Sequence, residues 1–326
     1  MTPHWHAVAL SRQVWRKPRR IWFQNMPVVL FRNADGVQAL HDRCPHRFAA
    51  LSDGRVVKGD VECPYHGWRF DRTGRCTALP GHLGDLPRVR VKRFAVTEVD
   101  GVIFIADGQP DAPPYTHCAA GQDVIVRRVM SSTASTLLDT AENILDATHT
   151  HYTHKGILRG LNSRRYTVDV AITGGPGWVE ACYTGEDKQQ GMVSKLLEGQ
   201  RSRTVGRFKA PGIAELEYWG PDGLNLATTF HLRESRPGVV EGIGWLIGPR
   251  QSGLGHIKAL FFKPFFNIAL QQDRRVLRAA LDNAGQPPLA KPVIGPLDFL
   301  REDIVRIIAG ELPRAAKAPQ HRQLEL

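Results

Sequence analysis

Two short boxes, Cys44-Pro-His46 and Cys63-Pro-Tyr-His66-Gly-Trp68, set two cysteines and two histidines in the pattern C-x-H-x16-C-x2-H. Two thiolates and two neutral imidazoles are the donor set of a two-iron, two-sulfide cluster in which one iron is all-thiolate and the other imidazole-ligated. Imidazole ligation raises the potential of such a cluster to roughly −150 to +300 mV, well above that of an all-cysteine cluster. A chain with this donor set is built to accept single electrons. A structural zinc ion accepts the same four side chains. Zinc sites, however, usually repeat C-x2-4-C or H-x3-5-H spacings within pairs of like ligands, and here both arms mix Cys with His.

A second ligand-rich stretch runs Glu142-Asn-Ile-Leu-Asp146-Ala-Thr-His149-Thr-His151-Tyr-Thr-His154. On a regular helix, at ~100° per residue, Asp146 and His149 share a face ~60° apart, whereas His149 and His154 lie ~140° apart. Plain helix geometry therefore favours His151 with His154 as a ligand pair. Two histidines with one carboxylate would make the facial triad that holds ferrous iron and leaves positions open for oxygen. Among distant carboxylates, Asp273 sits in Gln271-Gln-Asp-Arg-Arg-Val-Leu277 on an expected late helix, flanked by Arg274 and Arg275. Such an aspartate is as easily read as half of a surface ion pair. Asp282, Asp298 and Asp303 are the alternatives.

The stretch from His41 to Phe70, with its CPHR and CPYHGW boxes, resembles a Rieske [2Fe–2S] domain. Asn143, Asp146, His149 and His154 are similar, position for position, to the N-x2-D-x2-H-x4-H motif of Rieske non-haem iron oxygenases. This resemblance implies a [2Fe–2S] cluster on Cys44, His46, Cys63 and His66, and Fe(II) on His149, His154 and Asp273. It leaves His151 outside the ligand set, and so requires the helix to end or bulge between His149 and His154. Asp146 gains two implied roles. It would orient His149, as metal-bound histidines commonly require, and it would bridge across a subunit interface to His66 of a neighbouring chain. A head-to-tail ring, a homotrimer, is the implied assembly. The implied activity is that of a terminal oxygenase, closer to the monooxygenases and O-demethylases of the family than to its two-subunit ring dioxygenases. The alternative is a degenerate electron-transfer or ligand-binding protein on the same fold.

The elements that must position these residues are legible in outline. Residues 27–31, 37–40, 55–57 and 61–63 are short apolar runs separated by turn residues, the rhythm of a small all-β unit, and both cluster boxes fall just beyond such runs. Residues 102–106 close this unit and 107–114 read as a linker. The expected division is 1–115 for the cluster domain and 116–326 for the catalytic domain. In the latter, residues 136–154 read as helical, 166–248 as antiparallel sheet with Gly/Pro turns, 255–281 as a long helix with a possible kink at Pro264, and 297–308 as a C-terminal helix. Helices segregated from an antiparallel sheet give an α+β class.

At 326 residues, with 42% hydrophobic and 23% charged side chains, the chain has the composition of an ordinary globular protein of two domains. Its net charge of +11 draws anions without naming them. No nucleic-acid-binding signature accompanies that charge. The N-terminus lacks an apolar signal core, and the most apolar stretch, 259–270, is interrupted by Lys263, Pro264 and Asn267, so neither export nor membrane spanning is expected. Cys76, Cys118 and Cys182 are scattered, which suits a reducing cytoplasm. With no G-x-G-x-x-G and no Walker-type loop, reducing equivalents are expected from a separate NAD(P)H-dependent reductase, with or without a ferredoxin. The substrate is expected to be a small hydrophobic ring compound. Lys155, Arg159, Arg164 and Arg165 would either clamp an anionic group on it or dock an acidic electron donor.

Overall fold

Apolar runs broken by tight turns become ten short strands in the first part of the chain, as seen in a computed structural model that describes residues 3–155, 165–185, 201–250, 254–287 and 291–326. The strands are β1 (His6–Leu10), β2 (Arg19–Phe23), β3 (Met26–Asn33), β4 (Gly36–His41), β5 (Arg55–Val57), β6 (Asp60–Glu62), β7 (Arg69–Phe70), β8 (Cys76–Ala78), β9 (Ala95–Val99) and β10 (Val102–Ala106). They form three antiparallel sheets, ordered β1-β10-β9, β2-β3-β4 and β5-β6-β7-β8. Side chains alternate faces along a strand, so a strand buried on both faces reads as an unbroken apolar run. This is why residues 27–31 show no alternation. Val28 and Leu30 enter one core with Val8, Phe23 and Ile103, while Val29 and Phe31 enter another with Leu40, Leu51, Val61 and Phe70. Cys44 and Cys63 belong to the second core.

The remaining strands build one eight-stranded antiparallel sheet. They are β11 (Val124–Ala134), β12 (Thr167–Gly175), β13 (Trp178–Thr184), β14 (Arg203–Lys209), β15 (Ile213–Gly220), β16 (Gly223–Arg236), β17 (Val239–Pro249) and β18 (Gln320–Glu325), in the order β11-β17-β16-β15-β14-β13-β12-β18. Strands β12 to β17 follow one another as hairpins, and the first and last strands of this part of the chain close the two edges. Neither edge strand was expected from the sequence. β18, QHRQLE, buries only one side chain deeply, Leu324, so its apolar alternation is too weak to read.

Among the described residues, three α-helices accompany this sheet: α1 (Leu137–Leu145), α2 (Leu254–Asn283) and α3 (Arg301–Ile308). α2 runs continuously through Pro264. The helix expected over 136–154 is shorter. Thr136 caps it, its hydroxyl oxygen accepting from Asp139 N at 3.1 Å, and it ends at Leu145 with Asp146 extended at φ −76° and ψ 110°. A separate 3-10 turn, His149–His151, follows. The helix expected over 297–308 likewise begins only at Arg301. No described helix is long and apolar enough to cross a membrane. The chain divides into two compact units, Met1–Thr116 with Glu234–Pro237, and His117–Arg233 with Gly238–Leu326.

Candidate metal centres and the adjoining cavity

In the first unit the two cluster boxes are the same turn made twice. Phe48 N donates to Cys44 O at 2.8 Å and Gly67 N to Cys63 O at 3.1 Å, while Cys44 N donates to Ala49 O and Cys63 N to Trp68 O. Each turn closes through a left-handed residue, Phe48 at φ 62° and Gly67 at φ 73°. Phe48 carries a side chain in that conformation, but at Gly67 a Cβ would stand 2.9 Å from Pro80 Cγ, so the close approach of Pro80 favours glycine there. A buried carboxylate secures the entry to each turn. Asp42 accepts from Arg20 Nε at 2.5 Å, Ser52 N at 2.7 Å and Ser52 Oγ at 2.6 Å; Glu62 accepts from Arg55 Nε and Arg69 Nε, each at 2.7 Å.

These turns bring all four expected cluster ligands to one place. Cys44 and Cys63 are buried, whereas His46 and His66 are exposed, with ring centroids 4.6 Å apart. His46 stacks on Trp68 at 4.8 Å. Burial, and then the neighbouring Cys63, push the Cys44 thiol up to about 11 against the backbone N–H groups of His46 and Arg47, which favour the thiolate. Cys44 and Cys63 interact side chain to side chain and neither is in a disulfide, so both sulfurs are open to a metal. An inner pair of sulfurs and an outer pair of imidazoles fit a cluster with one thiolate iron and one imidazole iron.

In the second unit, the break after α1 turns His149 and His154 toward each other. Asp146 makes the break. Its Oδ1 accepts from Thr148 N at 2.7 Å and Thr148 Oγ1 at 2.6 Å, and its Oδ2 from His149 N at 3.2 Å, the pattern of a capping aspartate. His149 Nδ1 lies 2.6 Å from the backbone carbonyl of Asp146 and 3.7 Å from its carboxylate, so the carbonyl is the closer orienting atom. His154 Nδ1 lies 2.8 Å from Gln272 Oε1 on α2. With both Nδ1 protons donated to oxygen acceptors, each Nε2 presents a lone pair.

Those lone pairs meet. His149 Nε2 and His154 Nε2 are 3.3 Å apart, and Asp273 Oδ1, from the turn of α2 that carries Gln272, lies 3.6 Å and 3.1 Å from them. Asp273 Oδ1 is buried and has no hydrogen-bond partner. Two lone pairs and a carboxylate converging out of water call for positive charge among them. Protons can supply it: burial pushes the Asp273 pKa up, but the two imidazoles outweigh it and draw the pKa down to about 2, while Asp273 raises His154 against its own burial. A metal ion fits better, because three donor atoms within 4.8 Å of one another form one face of a coordination shell.

Other sequence candidates fall elsewhere. His151 lies in the 3-10 turn and outside the convergent group. Asp282 pairs with Arg278, Asp298 accepts from Gly295 N at 2.6 Å, and Asp303 accepts from Arg314 N. Lys155 and Arg165 are exposed, and Arg165 donates to Tyr152 Oη at 2.7 Å. Arg159 and Arg164 lie outside the described residues. Gln272 escaped the sequence reading, since an uncharged neighbour of the expected ligand carries no signal of its own.

The triad opens on a cavity of about 200 Å³. One wall is the sheet face carrying Leu216, Leu226, Phe230, Leu232 and Leu246; α1 supplies Asn143 and α2 supplies Phe262, Phe265 and Leu270.

Residues 4–109 match the family model of the Rieske [2Fe–2S] domain, so the first unit carries such a domain. Dicamba O-demethylase, oxygenase component, of Stenotrophomonas maltophilia is 37% identical over 163 residues, 46% of this chain and 47% of that protein. The 4beta-methylsterol monooxygenase of Methylococcus capsulatus is 39% identical over 113 residues, 33% of this chain and 31% of that protein. The chain thus matches half or less of the length of these curated relatives. Among solved structures, dicamba monooxygenase bound to 3,6-dichlorosalicylic acid aligns over 94% of this chain and 96% of its own, with a TM-score of 0.78 and 22% identity. Pseudomonas putida CBB5 NdmA with caffeine aligns over 91% and 87%, with a TM-score of 0.73 and 20% identity. The fold is therefore that of the Rieske-type oxygenase structures, a likeness of fold that covers more than nine-tenths of this chain. Rieske domain and triad together imply a [2Fe–2S] cluster and a mononuclear iron.

Proposed function

We propose that this chain is the terminal oxygenase of a multicomponent Rieske non-haem iron system, a monooxygenase that hydroxylates or oxidatively demethylates a ring-containing substrate. The observation that carries this reading is the meeting of His149 Nε2, His154 Nε2 and Asp273 Oδ1 on the wall of an apolar cavity. Relatives named for O-demethylation and for methylsterol oxidation support the reaction class. In this reading Cys44, Cys63, His46 and His66 hold the cluster, and His149, His154 and Asp273 hold Fe(II). When bound, the cluster supplies single electrons and the iron activates dioxygen.

The chain's own residues do the rest. The carbonyl of Asp146 and the amide of Gln272 keep both imidazoles in the tautomer that presents Nε2. The leucine and phenylalanine wall holds an apolar ring and excludes water from the reacting face. Residues 1–115 serve as the cluster domain and 116–326 as the catalytic domain. A homotrimer in the cytoplasm, with Asp146 bridging to His66 of a neighbouring subunit, and a separate NAD(P)H-dependent reductase, with or without a ferredoxin, complete the proposal.

Iron analysis and oxygen uptake test it. The reconstituted chain should hold about three irons, two in the cluster and one in the triad. With a generic reductase, a screen of aromatic ethers, methylxanthines and sterols should reveal substrate-stimulated oxygen uptake. About two irons and no stimulated uptake would instead identify a degenerate electron-transfer protein.

A further inference from the structure

We propose that the Thr228 hydroxyl donates a hydrogen bond to the substrate, so that the cavity beside the triad selects a compact, neutral ring compound bearing a hydrogen-bond acceptor in preference to an aromatic acid. This deepens the oxygenase reading and rests on it. The cavity, at about 200 Å³, is smaller than the roughly 300–1,000 Å³ of drug-sized sites. A single ring with a short substituent matches it.

Thr228 stands in the middle of the apolar wall. Along β16, Leu226, Thr228, Phe230 and Leu232 all face the cavity, as alternation along a strand requires. Directly across on β15, Leu216 pairs with Thr228, and Tyr218 with Leu226. A hydroxyl set among leucines and phenylalanine is an odd choice for packing alone. Its Oγ1 is buried and has no hydrogen-bond partner. Two other lining threonines differ in this respect: Thr140 Oγ1 donates to Thr136 O at 2.9 Å, and Thr150 Oγ1 to Ala147 O at 2.8 Å. Their hydrogens are committed within the chain, while that of Thr228 is available to a ligand. A buried polar group left unmatched is costly, so a ligand supplying an acceptor at this point is favoured over an isostere that lacks one.

The same wall disfavours a carboxylate, which binds strongly where charge-assisted, bidentate donors meet it. Among the described residues no lysine or arginine lines the cavity. Arg201 stacks on the ring of the lining residue Tyr218, its guanidinium carbon 4.3 Å from the centroid. A test must therefore include an anionic probe.

Three probes of one shape separate the possibilities: acetophenone, with a carbonyl acceptor; α-methylstyrene, its isostere without one; and benzoate. Their dissociation constants are measured by calorimetry on the iron-loaded full chain under anaerobic conditions, where no turnover occurs. Acetophenone should bind about tenfold tighter than α-methylstyrene, the effect of one hydrogen bond in an apolar site, and benzoate should bind more weakly than acetophenone. Thr228→Val should abolish the acetophenone advantage and leave α-methylstyrene unchanged, and Thr228→Ser should restore it. Benzoate binding tightest, equal affinities for the two isosteres, or equal weakening of both by Thr228→Val would each overturn the assignment. The iron content of the same preparation is read separately. A missing third iron thus marks failure of the oxygenase reading, and a wrong order of affinities marks failure of the Thr228 assignment.

Discussion

The two candidate metal centres are assembled in opposite ways. In the first unit, both boxes lie on turns with the same backbone hydrogen bonds, and every expected ligand is within four residues of a cysteine that is itself part of the core. In the second unit, His149 and His154 depend on the end of α1, and the candidate ligand set closes only through α2, whose Gln272 is 118 positions from His154. The first centre is a local device inserted into a small sheet. The second is a meeting of distant elements, so it should tolerate change in a different manner.

The largest expected effects break the second centre while sparing the first. His149→Ala, His154→Ala and Asp273→Ala should each abolish mononuclear iron binding, taking iron from about three per chain to about two, with the visible cluster spectrum intact. Cys44→Ser should do the reverse and more. It removes a proposed cluster ligand that lies in the core at 1% exposure, so both chromophore and thermal stability of the first unit should fall, as seen by absorbance and melting. If the triad variants also lost the chromophore, the two centres would not be separately assembled.

Asp146→Asn tests whether the centres are coupled in turnover. An asparagine can still accept from Thr148 N through its side-chain oxygen, and the carbonyl that faces His149 Nδ1 is unchanged, so both metals should stay. Turnover should fall by about 100-fold or more, the scale set by losing a positioned charged group, while the cluster remains reducible. Wild-type turnover in this variant would remove the bridging role and leave Asp146 as a cap alone.

A smaller effect should come from Gln272→Leu, which deletes the acceptor that fixes the His154 tautomer. Loss of such a partner typically costs about 10–100-fold in metal affinity, measurable by competition with a chelator. His66→Cys adds negative charge to the outer iron and should lower the cluster potential toward the roughly −400 mV of all-cysteine clusters, as read by redox titration. The smallest effect belongs to His151→Ala, which should leave iron content unchanged. Loss of iron from this variant with retention in His149→Ala would restore the pairing that plain helix geometry favours.

Much of the site was legible because its ligands are close in sequence. Cys44, His46, Cys63 and His66 needed only spacing and donor type, and the strands before each box showed as apolar runs bounded by turns. Less was legible around His149. A periodic reading carries the helix through to His154, whereas the Asp146 side chain captures Thr148 and His149 N–H groups and ends it at Leu145. That competition between side chain and backbone is decided by a few hydrogen bonds, which apolar periodicity does not register. The strand β18 was illegible for a different reason: an edge strand with one deeply buried side chain has almost no pattern.

The sequence alone determined the donor chemistry: which side chains could hold a two-iron cluster, that His149, His151 and His154 offer candidate ligands for an ion, and that the fold would be α+β in two parts. The resemblance named Asp273, and the tertiary structure brings it, rather than Asp282, Asp298 or Asp303, to the histidines; only the tertiary structure decided that Gln272 orients one of them and that Thr228 faces the cavity with its hydroxyl uncommitted. Local spacing fixes what a contiguous segment can present. Convergence of α2 on the end of α1 and on the sheet depends instead on packing across the whole domain, and no short window of sequence contains that information.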